Sequence, residues 1–227
     1  MCFLGLKRDE PNVDTLRAMR IFATMGDQVM RKSWAMLIVA GVAGIFAVGN
    51  MTAVAQSAGE SQTKATSLTF GGKAYVHRWS KNGQNEYTQP SEPDLERWRD
   101  MVTINVNESV RDGEQLAAMA NSILANYEKH GTIVRSGSKA ASPEHPAEHL
   151  IVALLGTASL SEAAFARVML IEGVGVVAVY SHRIYGKDSA APMGEWLQTN
   201  GPTTEKTLLR WENIPSPAAL KQLPQSR

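Results

Sequence analysis

A chain of 227 residues carrying 23 lysines and arginines against 22 aspartates and glutamates, a formal charge of +1, has no basic surplus with which to neutralise nucleic-acid phosphates. Its only cysteine is Cys2, which excludes a disulfide framework and, in everything that follows it, a thiol nucleophile or a thiolate metal site. Stability must come from burying the 44% of residues that are hydrophobic, and the length allows one or two domains.

The N-terminal third is patterned for export. Arg31 and Lys32 form a positive flank, Trp34 to Val48 is an uncharged apolar run, and Ala53-Val54-Ala55 supplies small residues at the first and third positions before a break. Residues 30–55 are therefore expected to be a signal peptide cleaved before Gln56. The alternative is an uncleaved membrane anchor, for which the run is barely long enough, since a span needs about 20 apolar residues. Cys2 precedes the apolar run, so it cannot serve as a lipoprotein anchor. Residues 1–29 form a charged preface unlike an ordinary signal flank, and Met25 and Met30 are each placed to be the true start. Residues 56–67 (QSAGESQTKATS) lack large apolar side chains and are expected to be a flexible leader.

One α+β domain is expected over residues 68–213. Leu68 to Phe70 and Lys73 to Trp79 flank Gly71-Gly72 and predict two strands, with Tyr75, His77 and Trp79 sharing a face by period two. Asn82-Gly83 is a type I′ hairpin signal, because both central residues of that turn need positive φ, so Asn85 to Thr88 should pair back. Asp94 to Asp100 predicts a short helix with Leu95 and Trp98 on one side. Val102, Ile104 and Val106 then alternate with polar residues, as in a half-buried strand.

The clearest helix runs from Gly113 to Lys129. Asp112 is its N-cap, Gln115 completes a capping box, and Leu116, Met119, Ala120, Ile123 and Tyr127 form its apolar stripe. Strands follow at Thr132 to Ser136, Glu148 to Gly156, Ala163 to Ile171 and Gly175 to Tyr185, with a turn at Glu172-Gly173. Pro192 to Thr199 and Thr203 to Asn213 predict one interrupted helix or two short ones, laying Trp196, Leu197, Leu208, Leu209 and Trp211 on the sheet. Residues 214–227 are expected to be a polar tail. The predicted architecture is a mainly antiparallel sheet with a central capped helix and C-terminal helices packed on it.

Asn85-Glu86-Tyr87-Thr88, Asp94-Leu95, Trp98 and Met101 to Ile104, with Tyr180-Ser181-His182-Arg183 and Trp196, resemble small secreted bacterial proteins of unknown function with a PsbP-like fold. The resemblance covers most of residues 68–213. It implies a binding or assembly role without catalytic machinery, and it transfers no functional residue, since no ligand motif of PsbP is matched.

Among chemistry-bearing groups, His145 and His149 have the i, i+4 spacing of a helical metal pair, but Pro143 and Pro146 oppose a helix, so no metal site or cofactor is expected. In a strand, Tyr180, His182 and Ile184 face one way and Ser181, Arg183 and Tyr185 the other, so Ser181 and His182 diverge and cannot form a catalytic pair. Arg183 is suited to a carboxylate within the fold or to an anionic ligand. Trp79, Trp98, Trp196 and Trp211 fit a core or sheet-covering role better than a stacking platform. Gly173-Val174-Gly175 lacks the further glycine and the helix of a nucleotide loop.

The residues singled out for ligand or partner contact are Trp98, His182, Arg183 and Tyr185. The expected function is an exported, non-enzymatic binding or assembly protein of the bacterial envelope, periplasmic or secreted. Its partner would be another envelope protein or a small ligand, and it would touch the membrane only if the apolar segment is retained. The alternatives are an envelope hydrolase or lyase using His77, His149 or His182 as base, and a membrane-tethered structural protein.

Overall fold

The computed structural model describes residues 65–142 and 145–226. The segment expected to direct export, residues 30–55, lies outside the described residues, as do the preface before it and residues 56–64 of the leader.

Eight strands form a single sheet: β1 (Ser67–Phe70), β2 (Lys73–Lys81), β3 (Gln84–Thr88), β4 (Asp100–Asn107), β5 (Gly131–Lys139), β6 (Glu148–Thr157), β7 (Leu160–Ile171) and β8 (Val174–Tyr185). Their order is β1-β2-β3-β4-β8-β7-β6-β5, and every neighbouring pair is antiparallel. The sheet is thus two four-stranded meanders joined where β4 meets β8. Helix α1 (Gly113–His130) carries the chain from β4 in the middle to β5 at the edge, and α2 (Ala190–Leu209) and α3 (Pro217–Lys221) follow the last strand. The chain is an α+β protein with a large antiparallel sheet.

Local chemistry explains most elements. Asn82 (φ 52°) and Gly83 (φ 82°) form the expected hairpin between Lys81 and Gln84, and Glu172 (φ 51°) and Gly173 (φ 72°) form its counterpart between β7 and β8. At the start of α1, Gln115 N–H donates to Asp112 Oδ1 at 2.8 Å. The returning bond of the box lands one residue early, with Arg111 N–H donating to Gln115 Oε1 at 2.7 Å.

Alternation along the strands sorts the core into two layers. Tyr75, Tyr87, Val102, Ile104, Phe165, Val176, Ala178 and Tyr180 pack under Met193 and Leu208 of α2 and Leu220 of α3. On the opposite face Ile151, Ala164, Ala166, Val168, Val177 and Val179 pack under Leu116 and Ala120 of α1. Burial of both faces is why β6 to β8 carry nearly continuous apolar runs rather than the alternation of a one-sided sheet.

Four local expectations are corrected. Residues 94–99 are an irregular loop, not a helix: the Glu92 carboxylate accepts from Arg99 N (3.1 Å), Arg99 Nε (2.9 Å) and Asp100 N (3.4 Å), and Asp94 Oδ1 accepts from Glu96 N (2.9 Å). Side-chain acceptors there take the backbone donors that helical turns would need. A bulge at Arg78 shifts the β2–β3 register, so Trp79 turns to the face opposite Tyr75 and His77. Residues 190–209 form one helix with Pro202 inside it. Finally, the domain extends beyond both expected bounds. Ala65 is fully buried, and its carbonyl accepts from the Tyr87 hydroxyl at 2.9 Å. Beyond residue 213, Ala219, Leu220 and Leu223 are core residues, and Ser226 N donates to Ser80 O at 2.7 Å.

α1 passes into β5 without a loop, at His130 and Gly131. A Cβ on Gly131 would overlap the Leu154 backbone oxygen and lie 2.7 Å from Leu155 Cδ2. Gly131→Ala is expected to cost about 1–3 kcal/mol by overpacking, seen as a lower urea midpoint at unchanged slope. An unaltered midpoint would mean that β5 and β6 separate there at no cost.

Candidate functional site

β8 divides the residues singled out from sequence between the two faces, as its alternation requires. His182 lies on the α2 face, directly opposite Asp100 in the β4–β8 register. Its Nδ1 is 2.8 Å from Asp100 Oδ1, and its ring stacks on Trp196 with centroids 4.0 Å apart and planes 7° from parallel. Asp100 Oδ1 also accepts from the Tyr180 hydroxyl (2.8 Å), while Oδ2 accepts from Lys73 Nζ (3.0 Å) and Gln89 Nε2 (2.7 Å). Burial pushes the Asp100 carboxyl up, but the hydrogen bonds from His182, Lys73 and Tyr180 outweigh it and hold the group well below the usual carboxylate range. The acceptor is therefore an anion, and His182 Nδ1 is the donor. Burial, with the Asp100 charge beside it, pushes the Tyr180 hydroxyl far up.

Arg183, Tyr185 and Trp98 come together on the other face. The Arg183 guanidinium carbon sits 3.8 Å from the Trp98 ring centroid, and Nε donates to Glu162 Oε2 at 2.6 Å. The Tyr185 hydroxyl donates to Trp98 O (2.8 Å) and accepts from Trp98 N (3.1 Å), which ties the 89–99 loop to the end of β8. The Arg97 guanidinium carbon lies 5.9 Å from the Tyr185 ring centroid. The same face continues across β4, β3 and β2 as a row of half-buried side chains, Thr103, Glu86 and Trp79, paired strand to strand. Burial pushes the Glu86 carboxyl up against the 2.7 Å hydrogen bond from Gln84 Nε2 and the attraction of Arg183. The result is a strip of indole, guanidinium, carboxylate and phenol, set on strands and bordered by the 89–99 loop.

Glu162 and Glu86 were not singled out from sequence. A visible signal did exist for Glu162: it is the one charged side chain in the otherwise small and apolar start of β7, LSEAAFA.

Of the remaining candidates, His77 is occupied structurally, whereas the Nε2 of His149 is buried with no hydrogen-bond partner among the described residues. Asn85 Nδ2 donates to the carbonyls of Gly83 and Ile104 (both 3.0 Å), so Asn85 Oδ1 accepts from Ser80 Oγ (2.7 Å). Ser80 Oγ, its proton committed, must accept from His77 Nε2 at 2.7 Å, which makes that nitrogen a donor and not a base. His149 Nδ1 lies 2.8 Å from Ser138 Oγ, whereas His145 is exposed in a turn closed onto Ser142. Among the described residues no group of three or more His, Cys, Asp or Glu side chains is arranged to hold a metal ion, and no helix is long and apolar enough to cross a membrane.

Fold and site define an α+β protein with a helix-clad antiparallel sheet and an aromatic and charged strip on one of its faces. No protein-family model matches the chain, and no curated protein matches it. Among solved structures it is similar to the Pseudomonas aeruginosa protein of unknown function PA94, at 12% identity over 66% of this chain and 98% of that one, with a TM-score of 0.40. It is also similar to the Saccharomyces cerevisiae Ran-binding protein Mog1p, at 8% identity over 58% of this chain and 74% of that one, TM-score 0.34. A Mog1 mutant structure gives 9%, 68%, 86% and 0.32 respectively.

Proposed function

We propose that this chain is an exported, non-enzymatic binding or assembly protein of the bacterial cell envelope, PsbP-like in fold, which contacts its partner through the strip around Trp98 and Arg183. The supporting observation is the Arg183 guanidinium, clamped between the Trp98 ring at 3.8 Å and the Glu162 carboxylate at 2.6 Å while its side chain stays 20% exposed. Trp98 itself is buried, at 3% exposure, and orders Arg183 from beneath; arginine and tyrosine, the accessible members here, are common in binding hot spots, and their ordering cost has been met during folding. The export part of the reading rests on residues 30–55 and is checked by N-terminal sequencing of the exported protein, which should begin at or near Gln56.

Quantitative capture from an envelope fraction, with Arg183→Ala compared against wild type, tests the contact. The expected result is a loss of about tenfold or more, the size of a hot spot worth over 1 kcal/mol. Lys139→Ala, at the far edge of the sheet, should leave capture unchanged. Equal capture by Arg183→Ala, with an unchanged melting temperature, would remove the strip from consideration.

A dispersed-site hydrolase or lyase is the second reading, and His182 favours it, since Asp100 fixes the imidazole tautomer as in a carboxylate-oriented base. Against it, Asp100 shares its charge among four donors from β2, the 89–99 loop and β8, which is the pattern of a structural knot.

A further inference from the structure

The two faces of the sheet are not covered alike. α2 lies across one of them. On the other, α1 packs on β5, β6 and β7, which leaves this side of β2, β3 and β4 without a helix packed on it among the described residues. The bulge at Arg78 turns Trp79 onto that uncovered half, where two rows of side chains cross the strands: Trp79, Glu86 and Thr103, and beside them Lys81, Gln84 and Asn105. All six are half-buried. Gln84 Nε2 donates to Glu86 Oε1 at 2.7 Å, and no other side-chain hydrogen bond is made by any of the six to a described residue. Their unpaired groups are not sealed in. Buried side-chain polar atoms without a partner are confined, among the described residues, to His149 Nε2 and Trp211 Nε1, neither of which lies here. Trp79 Nε1, the Thr103 hydroxyl and the Asn105 amide are therefore both unpaired and open to solvent. The Trp79 ring likewise stacks on no other described ring and meets no cation.

Charge narrows the kind of ligand. Arg78 donates through Nε to Thr88 Oγ1 (3.0 Å) and through Nη2 to Gln89 O (3.2 Å), and Arg183 is held by Glu162. Lys81 and Glu86 are left as one charge of each sign, and burial pushes the Glu86 carboxyl up, toward its uncharged form. An ionic ligand such as a nucleic acid or an anionic lipid surface finds no surplus to answer it. A protein partner would want an apolar centre depleted in charge, and here a single indole stands among amides, a hydroxyl and a carboxyl. A sugar fits what remains. Its ring presents an apolar C–H face that can lie on an indole, and its edge carries hydroxyls that both donate and accept, as Asn, Gln, Glu and Thr side chains do between them. Adjacent strands are about 4.8 Å apart, so Trp79 on β2 and Thr103 on β4 are separated by about 10 Å, room for a ligand of more than one ring.

We propose that this uncovered half of the sheet binds a neutral oligosaccharide, with one sugar ring stacked on Trp79 and its hydroxyls paired with Gln84, Glu86, Thr103 and Asn105. The inference rests on the reading of this face as the contact surface and gives the partner its chemical class. Titrating the ¹⁵N-labelled full chain with cellopentaose, maltopentaose and chitopentaose, and with glycerol as a hydroxyl-bearing control, while following the indole N–H resonances, tests it. The resonance to watch is the one missing in Trp79→Phe. It should shift saturably with at least one of the sugars and not with glycerol. Asn105→Ala, which removes no internal side-chain hydrogen bond, should weaken that binding several-fold at an unchanged melting temperature. A resonance that stays still with every sugar overturns the proposal. If Arg183→Ala still lowers capture from the envelope fraction in that case, the contact face stands and only its sugar ligand falls. A shift reproduced by glycerol, or one undiminished in Asn105→Ala, overturns the proposal as well.

Discussion

Replacing Asp100 with alanine is expected to lower the unfolding free energy by about 3–5 kcal/mol, the range for breaking a buried charge-assisted network on one side only. The side chain is 8% exposed and accepts four hydrogen bonds. The four donors do not contribute equally. Lys73 is 55% exposed and regains water when released, so little of the loss falls there. Tyr180 and His182 lie under α2, where an unpaired donor keeps its full desolvation cost. Asp100→Asn should be milder. Its carbonyl oxygen serves Tyr180 and His182, the Gln89 amide can turn its oxygen toward the new NH₂, and Lys73 moves out to solvent. Urea melts of the two variants check this, and a cost below about 1 kcal/mol for the alanine would mean the donors have other acceptors within reach.

The same network makes stability depend on acid. The folded-state carboxyl is held below its ordinary value of 3.8, so its contribution is fully present above that pH and is lost as the pH falls through the lower folded value. The stability gap between wild type and Asp100→Asn should therefore be constant near neutrality and narrow once the pH drops below about 4. A gap that widened in acid would contradict the assigned ionisation.

Elements set by near neighbours were legible in the sequence, and those set by distant partners were not. Asn82-Gly83, the Asp112 cap and the alternation of Val102, Ile104 and Val106 act within a few residues, and each feature appears where its local chemistry puts it. The alternation of β8 likewise separated His182 from Arg183 before any partner was known. The partners themselves lie 82 residues away for His182 and Asp100, and 21 for Arg183 and Glu162. Only the insertion of β8 beside β4 brings the first pair together, and nothing local encodes that insertion. The 94–99 loop misleads because Leu95 and Trp98 have helical spacing, while Glu92 and Asp94 bind the backbone instead. The C-terminal segment misleads by its polarity. Yet Ser216-Pro217 was a readable helix start, and Ser216 Oγ does accept from Ala219 N at 3.2 Å.

Phe165→Ala is expected to cost about 3–5 kcal/mol, because it empties the middle of the layer under α2. The ring is 1% exposed and meets Tyr180 and Trp196, each with centroids 6.3 Å away. It also sits at the close approach of α2 to the sheet: a Cβ on Gly201 would come within 4.0 Å of Phe165 Cζ. α2 depends on this contact more than α1 depends on any one of its own. Its sequence contains Gly194, Gly201 and Pro202, and a glycine costs about 1 kcal/mol and an interior proline about 3 kcal/mol relative to alanine. Its helicity therefore comes from packing on β7 and β8 and not from propensity. Hydrogen exchange in Phe165→Ala should accelerate through residues 190–209 while residues 113–130, docked on the opposite face by Leu116 and Ala120, exchange only as fast as the lowered global stability requires. Equal acceleration of both helices, each to the rate set by the lowered global stability, would mean that the two layers share one cooperative core, and that the sheet transmits the loss of Phe165 to α1.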